Sequence, residues 1–430
     1  LRPKNINVCK IFKKLLNSYR MKITFLKIAL LKEWKVPADA RVPLTPEQCA
    51  LIQQKYPLVK IVVQPSQIRC IADADYLAAG IEVREDVSDC DILMGIKEVP
   101  VDKLIPNKTY FFFSHTIKKQ AHNRKLLQAV LEKNVRLIDY ETLTNADGLR
   151  VIAFGRWAGI VGAHNGLMAV ANRLKTFELG QMHTYKTYSN AQAHYKTLQQ
   201  KLPPLQIVIT GSGRVSSGAA EVLDLLKIRA VSPSVFLNNK FDEPVYTQVN
   251  APQYAKHKDG KPFLLEDFYE NPQDYVSTFF PFCKCCDLLI NGIFWDKRAP
   301  AFFSKEEMKS ADFSIKTIAD ITCDIAPASS IPSTLFASTI SEPVFGYNPQ
   351  NETVTSPYQP EVVDMMTIDN LPSELPIDAS SAFGEQFLKA VLDELLGLKR
   401  EDMLNRATIA QGGKLTPNFA YLQDYADGKE

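Results

Sequence analysis

Two groups of residues in this sequence have the types and spacing to do chemistry. The first is basic. Lys97 and Glu98 follow the apolar run Ile92–Gly95, and His115 closes the aromatic run that begins at Tyr110. Lys118 and Gln120 come just beyond, and Arg41 sits in a polar loop after an earlier apolar run. A lysine that is buried and crowded by other cations gives up its proton more readily, and an imidazole titrates near neutrality unaided. With Arg41, these residues describe a pocket for a polyanionic substrate beside a group that exchanges protons. Each also has a bland reading. A loop Lys or Arg is usually solvated surface, and for Lys118 and Lys119 the two readings balance. His115 fits equally a core histidine with a satisfied hydrogen bond.

The second group is the turn Gly211-Ser212-Gly213-Arg214-Val215-Ser216-Ser217-Gly218, which follows the apolar run Leu205–Thr210 and opens a helix through Leu226. Glycines at such a turn let the backbone approach a pyrophosphate, and the helix N-terminus offers unpaired N–H groups and positive dipole. A tight turn with no ligand is the alternative, and Ser216 stands where a third glycine is usual. The next strand ends near Ala230–Pro233, where an NAD site carries an acid for the ribose; here the residue is Ser232. The missing acid leans the coenzyme, NAD(P)(H), towards NADP(H), with Arg229 or Lys240 to meet a 2′-phosphate.

Regular elements must position these groups. Strands are expected at Ile23–Leu31, Val59–Val63, Asp91–Met94, Thr109–Ser114 and Arg136–Asp139. Helices are expected at Pro46–Lys55, around Asp73–Ala79 and at about Lys118–Lys133. Their alternation implies parallel βαβ units. A helix over Gly155–Leu174 reads as a connector to a second alternating region, with strands at Leu205–Thr210, Asp287–Ile290 and Thr317–Ile321. Phe241–Asp274 reads as an irregular insertion, and Asp378–Leu396 as an amphipathic helix.

The 430 residues suit two domains rather than one core. Fifty basic against 48 acidic residues leave a net charge of +2, so charge gives no argument for nucleic acid or membrane as partner. No apolar run is long enough to span a bilayer. Cys283, Cys285 and Cys286 are close together, but no second Cys or His pair stands at ligand spacing, so no metal is expected and a reducing compartment is. Residues 1–20 hold Arg2, Lys4, Lys10, Lys13, Lys14 and Arg20 with no acid. They read as an upstream extension or a leader; the expected location is cytoplasmic, or mitochondrial if they form a transit peptide.

At these residues the sequence resembles the lysine-forming saccharopine dehydrogenases, and above all the lysine–ketoglutarate reductase half of the bifunctional aminoadipic semialdehyde synthases. The resembling strings are ARVPLTP (40–46), VVQPS (62–66), GIKEVP (95–100), FFSHTIKKQ (112–120), RLIDYETL (136–143), RVIAFGRWAGIVGA (150–163), LINGIFW (289–295) and IDNLPSELPIDAS (368–380). More distantly the arrangement is similar to alanine dehydrogenases and the first transhydrogenase domain.

The resemblance implies an α/β fold of two Rossmann-like domains with parallel sheets and an active-site cleft between them. Residues 21–155 plus about 370–430 would form a discontinuous substrate domain, and 156–369 the dinucleotide-binding domain. It implies Lys97 and His115 as the acid–base pair. Substrate would meet Arg41, Lys97, Gln120, Phe154, Thr322, Cys323 and Asp324. The cofactor would meet Arg150, Gly211, Ser212, Gly213, Arg214, Phe294, Ile321, Ile368, Asp369, Asn370 and Leu371. The expected activity is reversible interconversion of saccharopine with L-lysine and 2-oxoglutarate. The three carboxylates of saccharopine explain a cationic pocket, with Arg41 as a bidentate clamp. The rivals are an alanine-dehydrogenase-like enzyme, which would show a fuller glycine loop, and a catalytically silent nucleotide sensor.

Overall fold

The computed structural model describes residues 25–429; the basic stretch 1–20 lies outside the described residues. The chain forms two compact units, one of residues up to Ala153 plus Ser380–Glu430, the other Phe154–Ala379.

The first unit begins with β1 (Leu26–Leu30), β2 (Val59–Val63), β3 (Glu82–Val83), β4 (Ile92–Met94), β5 (Thr109–Phe112) and β6 (Arg136–Asp139). Ile28, Ala29, Leu30, Ile92, Leu93 and Met94 are all buried, the unbroken apolar pattern of strands covered on both faces. The Pro46–Lys55 helix starts where Thr45 caps the Gln48 N–H and Gln48 answers to the Thr45 backbone, with proline at the first turn. The expected helix from Lys118 is shorter. Two 3₁₀ turns, at Thr116–Lys118 and Ala121–Asn123, precede an α-helix over Arg124–Glu132. His115 and Lys119 are in the left-handed region, which breaks any helix there.

The second unit contributes β7 (Gln206–Thr210), β8 (Arg229–Ala230), β9 (Val245–Val249), a small hairpin-like pair β10 (Ala255–His257) and β11 (Tyr275–Ser277), then β12 (Leu288–Asn291), β13 (Thr317–Asp320), β14 (Val344–Asn348), β15 (Thr353–Thr355) and β16 (Val363–Met366). After Ser380 the chain returns to the first unit with β17 (Thr408–Gln411) and β18 (Lys414–Leu415). Each unit is built on an eight-stranded, mostly parallel sheet, ordered β18-β17-β6-β5-β4-β1-β2-β3 and β15-β14-β16-β13-β12-β7-β9-β8. β17 and β18, and β14 and β15, supply the antiparallel edges.

In both sheets the strand order reverses beside the first strand: between β1 and β4 in one, between β7 and β12 in the other. Loops at such a reversal diverge to opposite faces and leave a crevice at the carboxyl ends of the strands.

Three further expectations about elements are corrected. The helix Gly155–Leu174 is not a bare connector. Fourteen of its residues are buried, and it packs against the Arg214–Leu225 helix. There a Cβ on Gly159 would lie 1.8 Å from the Val215 carbonyl oxygen, and one on Gly218 2.1 Å from that of Arg156. The stretch Phe241–Asp274 is not an irregular insertion, because it contains β9, a central strand hydrogen-bonded to β7 along its length. Its polar composition hid a strand with Val245, Tyr246, Thr247 and Val249 buried. The helix foreseen over Asp378–Leu396 starts at Pro376 and is divided by a turn at Val391.

Candidate active site

In the first unit the loops after β1 and β4, at the strand-order reversal, hold Glu33, Asp39, Arg41 and Lys97. Glu33 is buried and accepts hydrogen bonds from the N–H groups of Ile96 (2.6 Å) and Lys97 (2.9 Å). It thereby ties the loop after β1 to the lysine. Burial pushes the Glu33 carboxyl up to about 8, against the pull of those two N–H groups. Arg41 is also buried and gives its Nε and Nη2 to the two oxygens of Asp39, at 2.9 and 2.6 Å. Burial opposes ionisation of Asp39, but the guanidinium outweighs it and holds the carboxyl at about 2. A fork-to-fork clamp on substrate through that edge of Arg41 is therefore not available, because Asp39 occupies it. Its charge acts nearby instead. Burial lowers the Lys97 pKa first and Arg41 lowers it next, while Asp39 and Glu98 oppose both. Glu98 itself lies 3.5 Å from Lys35.

His115 arrives from the adjacent strand. β4 and β5 pair in parallel with Met94 opposite Phe111, and the Phe113 N–H donates to the Ile96 carbonyl at 3.0 Å. Lys97 and His115 thus leave the ends of neighbouring strands within a residue or two of a shared hydrogen bond. The His115 ring lies nearly parallel to that of Phe113, with 6.3 Å between centroids. Its Nδ1 is 3.5 Å from Glu141, whose side chain is 9% exposed. Glu141 also takes a 2.6 Å hydrogen bond from Arg150 and lies 3.7 Å from Lys118. Burial raises the Glu141 pKa, yet the His115 contact and the Lys118 and Arg150 charges bring it down to about 2. Glu141 is therefore an anion at neutral pH. Beneath it, buried Asp139 accepts from the Ser114 N–H (2.8 Å) and hydroxyl (2.5 Å) and from the Glu141 N–H (2.7 Å), which sets both turns.

Glu33, Asp39, Asp139 and Glu141 were not singled out from the sequence. Their signal was present, since Asp139 and Glu141 fall within RLIDYETL, but acids at strand ends read as ordinary surface. Gln120 is exposed and accepts from Asn123 through its side chain and from Tyr425 through its carbonyl.

In the second unit the glycine turn follows β7. Gly211 has φ +85°, and a Cβ on Gly213 would meet nothing within 4 Å. Ser212, Gly213 and Arg214 are exposed at the N-terminus of the twelve-residue helix Arg214–Leu225. Ser216, in the place of the third glycine, is buried and donates to the Thr210 carbonyl at 2.7 Å. Its hydroxyl is satisfied locally and leaves the turn's outer backbone clear. Gly218 provides the close helix contact instead. Such a cradle fits the pyrophosphate of a dinucleotide. A cavity of about 770 Å³ opens beside it, lined by Gly211–Gly213, by Asn250 and Ala251 after β9, and by Phe294 and Trp295 after β12.

The other expected residues of this unit divide in two. Ile321, Thr322, Cys323 and Asp324 follow β13, where Thr322 donates to Asp320 (2.7 Å) and Cys323, with φ +53°, lies 3.0 Å from the Thr367 carbonyl. Ile368 and Leu371 are buried after β16, with Asp369 and Asn370 between them. Phe154 stands at the position just before the Gly155–Leu174 helix. Ser232 is elsewhere: exposed after the edge strand β8, it caps the Pro233–Asn238 helix and is separated from β7 by β9. Among the described residues no group of His, Cys, Asp or Glu is placed to hold a metal ion, and no helix is long and apolar enough to cross a membrane.

Comparison with known proteins agrees with this arrangement. Residues 29–161 match the family model for the alanine dehydrogenase/PNT N-terminal domain. The chain is 30% identical over 441 residues to the mitochondrial α-aminoadipic semialdehyde synthase of Rattus norvegicus, a match covering 91% of this chain and 47% of the relative. It is 31% identical over 439 residues to that of Arabidopsis thaliana, covering 92% and 41%. The chain thus spans about half the length of these synthases. It is 27% identical over 385 residues to the saccharopine dehydrogenase [NAD(+), L-lysine-forming] of Emericella nidulans, covering 85% and 91%. Among solved structures, an L-alanine dehydrogenase superposes with a TM-score of 0.62 at 16% identity over 94% of this chain and the whole of the other, which establishes the shared fold. Over most of its length the chain is thus similar to the lysine-forming saccharopine dehydrogenases and to about half of the aminoadipic semialdehyde synthases.

Proposed function

We propose that this chain is an oxidoreductase acting on a CH–NH group, reversibly converting saccharopine into L-lysine and 2-oxoglutarate with a nicotinamide coenzyme. The observation that carries the reading is the pairing of β4 with β5, which brings a half-buried lysine near Arg41 and a histidine beside an ionised glutamate to the ends of neighbouring strands. The first unit would supply the acid–base groups and the second, through Ser212–Arg214, the coenzyme's pyrophosphate site.

The coenzyme, when bound, accepts or returns a hydride. The chain's own residues handle the protons. In the oxidative direction the secondary amine must be neutral before its carbon is oxidised, and Lys97, its pKa lowered, takes that proton at Nζ. Water then adds to the imine. His115, oriented by Glu141, moves the protons that form and collapse the carbinolamine. Arg41 contributes positive charge that depresses Lys97 and attracts the carboxylates of the substrate, rather than a bidentate grip. In the reductive direction the same groups act in reverse.

The residues directly after β8 (Val231, Ser232) and after β9 (Asn250, Ala251) carry no carboxylate, which supports a lean towards NADP(H). The test is coenzyme oxidation by the purified chain with lysine plus 2-oxoglutarate, against pyruvate plus ammonia, with NADH and NADPH in parallel. Turnover with the first pair is expected. Turnover with pyruvate alone would favour the alanine dehydrogenase reading, and binding without turnover the sensor.

A further inference from the structure

The order of the second sheet moves the place where a coenzyme's adenosine end is read. β7 carries the glycine turn, and its neighbour on the side away from β12 is β9 rather than β8. β9 pairs with β7 throughout, from Gln206 opposite Val245 to Thr210 opposite Val249. β8 pairs only with Val245 and Tyr246. It stops about 10 Å short of the end of β9, at roughly 3.3 Å per residue. The end of β9 is also tied to the turn. The Gly211 N–H donates to the Val249 carbonyl at 2.7 Å, and Gln248 Nε2 donates to the Gly211 carbonyl at 2.6 Å.

In a doubly wound sheet, the residue that closes the strand beside the glycine-turn strand meets the adenosine ribose. By position that residue is Asn250, which faces the same cavity as Gly211, Ser212 and Gly213. Two aromatic rings at this cavity, Tyr269 and Phe294, are 64% and 91% exposed. Unburied rings of that size beside a phosphate cradle offer the flat apolar surface that a purine covers. Ser232 does not line the cavity; its hydroxyl accepts from the Val235 N–H at 3.3 Å and lies 3.1 Å from that of Ser234.

We propose that Asn250, and not Ser232, is the specificity-determining residue that reads the 2′ substituent of the coenzyme's adenosine ribose. The inference rests on the nicotinamide reading above. A carboxamide is uncharged and accommodates either a hydroxyl or a phosphate, whereas a carboxylate there accepts from the ribose hydroxyls and repels a phosphate.

Asn250→Asp and Ser232→Asp test this, since Asp keeps the helix-capping capacity of either residue. Binding of NADH and NADPH is read by fluorescence titration, and kcat/KM is measured for both. Asn250→Asp is expected to raise the NADH to NADPH preference at least tenfold, with Ser232→Asp moving it less than twofold. A shift with Ser232→Asp alone, or with neither variant while the wild type binds a dinucleotide, overturns the assignment. Binding of neither dinucleotide by the wild-type chain removes the coenzyme reading itself, and the proposal with it.

Discussion

At the scale of single residues, the site depends on which acids stay charged. Asp39 and Glu141, both at about 2, are anions at any working pH, whereas Glu33 at about 8 is mostly protonated at neutrality. Lys97 lies beside Glu33 and Asp39 with its pKa lowered by burial and by Arg41. Replacing it with Met keeps the stem and removes the proton acceptor, so kcat for saccharopine oxidation should fall by about 10²–10⁴-fold with the melting temperature little changed. In the wild type, kcat/KM in that direction should rise with pH through a limb below the ordinary lysine range, and Lys97→Met should abolish the limb. Glu141→Gln removes the anion from His115. We expect kcat to fall by roughly 10-fold, with the melting temperature little changed, because the imidazole loses the carboxylate beside it. An unchanged kcat would show that Glu141 only packs.

At the scale of elements, two glycines have opposite consequences. Gly159 lets the Gly155–Leu174 helix touch the Arg214–Leu225 helix, and a methyl there collides with main chain at 1.8 Å. Forcing it in costs about 1–3 kcal/mol, which for a unit of this size is a fall of roughly 3–10 °C in its melting temperature. Gly213→Ala meets open space instead. Its melting temperature should hold while coenzyme affinity drops, because the added methyl would stand in the proposed pyrophosphate site. Calorimetry and dinucleotide titration on the two variants separate the roles. The pattern of elements was largely legible: Pro46–Lys55, Val59–Val63, Arg136–Asp139 and Gly155–Leu174 stand where their periodicity puts them. β9 was not, because its tyrosine, threonine and glutamine obscure a buried strand whose partners are far away in sequence.

At the scale of the molecule, pH acts on the fold through Glu33. Its folded pKa of about 8 lies above the ordinary value of 4.5, so between those values the folded protein holds a proton that the unfolded chain has lost. This group's contribution therefore declines as pH rises from about 4.5 to 8. Glu33→Gln, neutral throughout, should flatten that part of the stability–pH curve measured by denaturant unfolding; an unchanged slope would place its origin in other groups.

The sequence by itself determined the alternation of strand and helix, the glycine turn, and the identity of Lys97, His115 and the motif strings that carry the resemblance. These are local, because an apolar period, a turn residue or a motif is written within a dozen positions. The tertiary structure decided what depends on partners distant along the chain: that Glu33 ties down the N–H groups of Ile96 and Lys97, that Glu141 lies against His115, and that β9 lies between β7 and β8. Sheet order and the pairing of buried charges are settled by which surfaces the folded chain can bury together, and no window of sequence contains both halves of that choice.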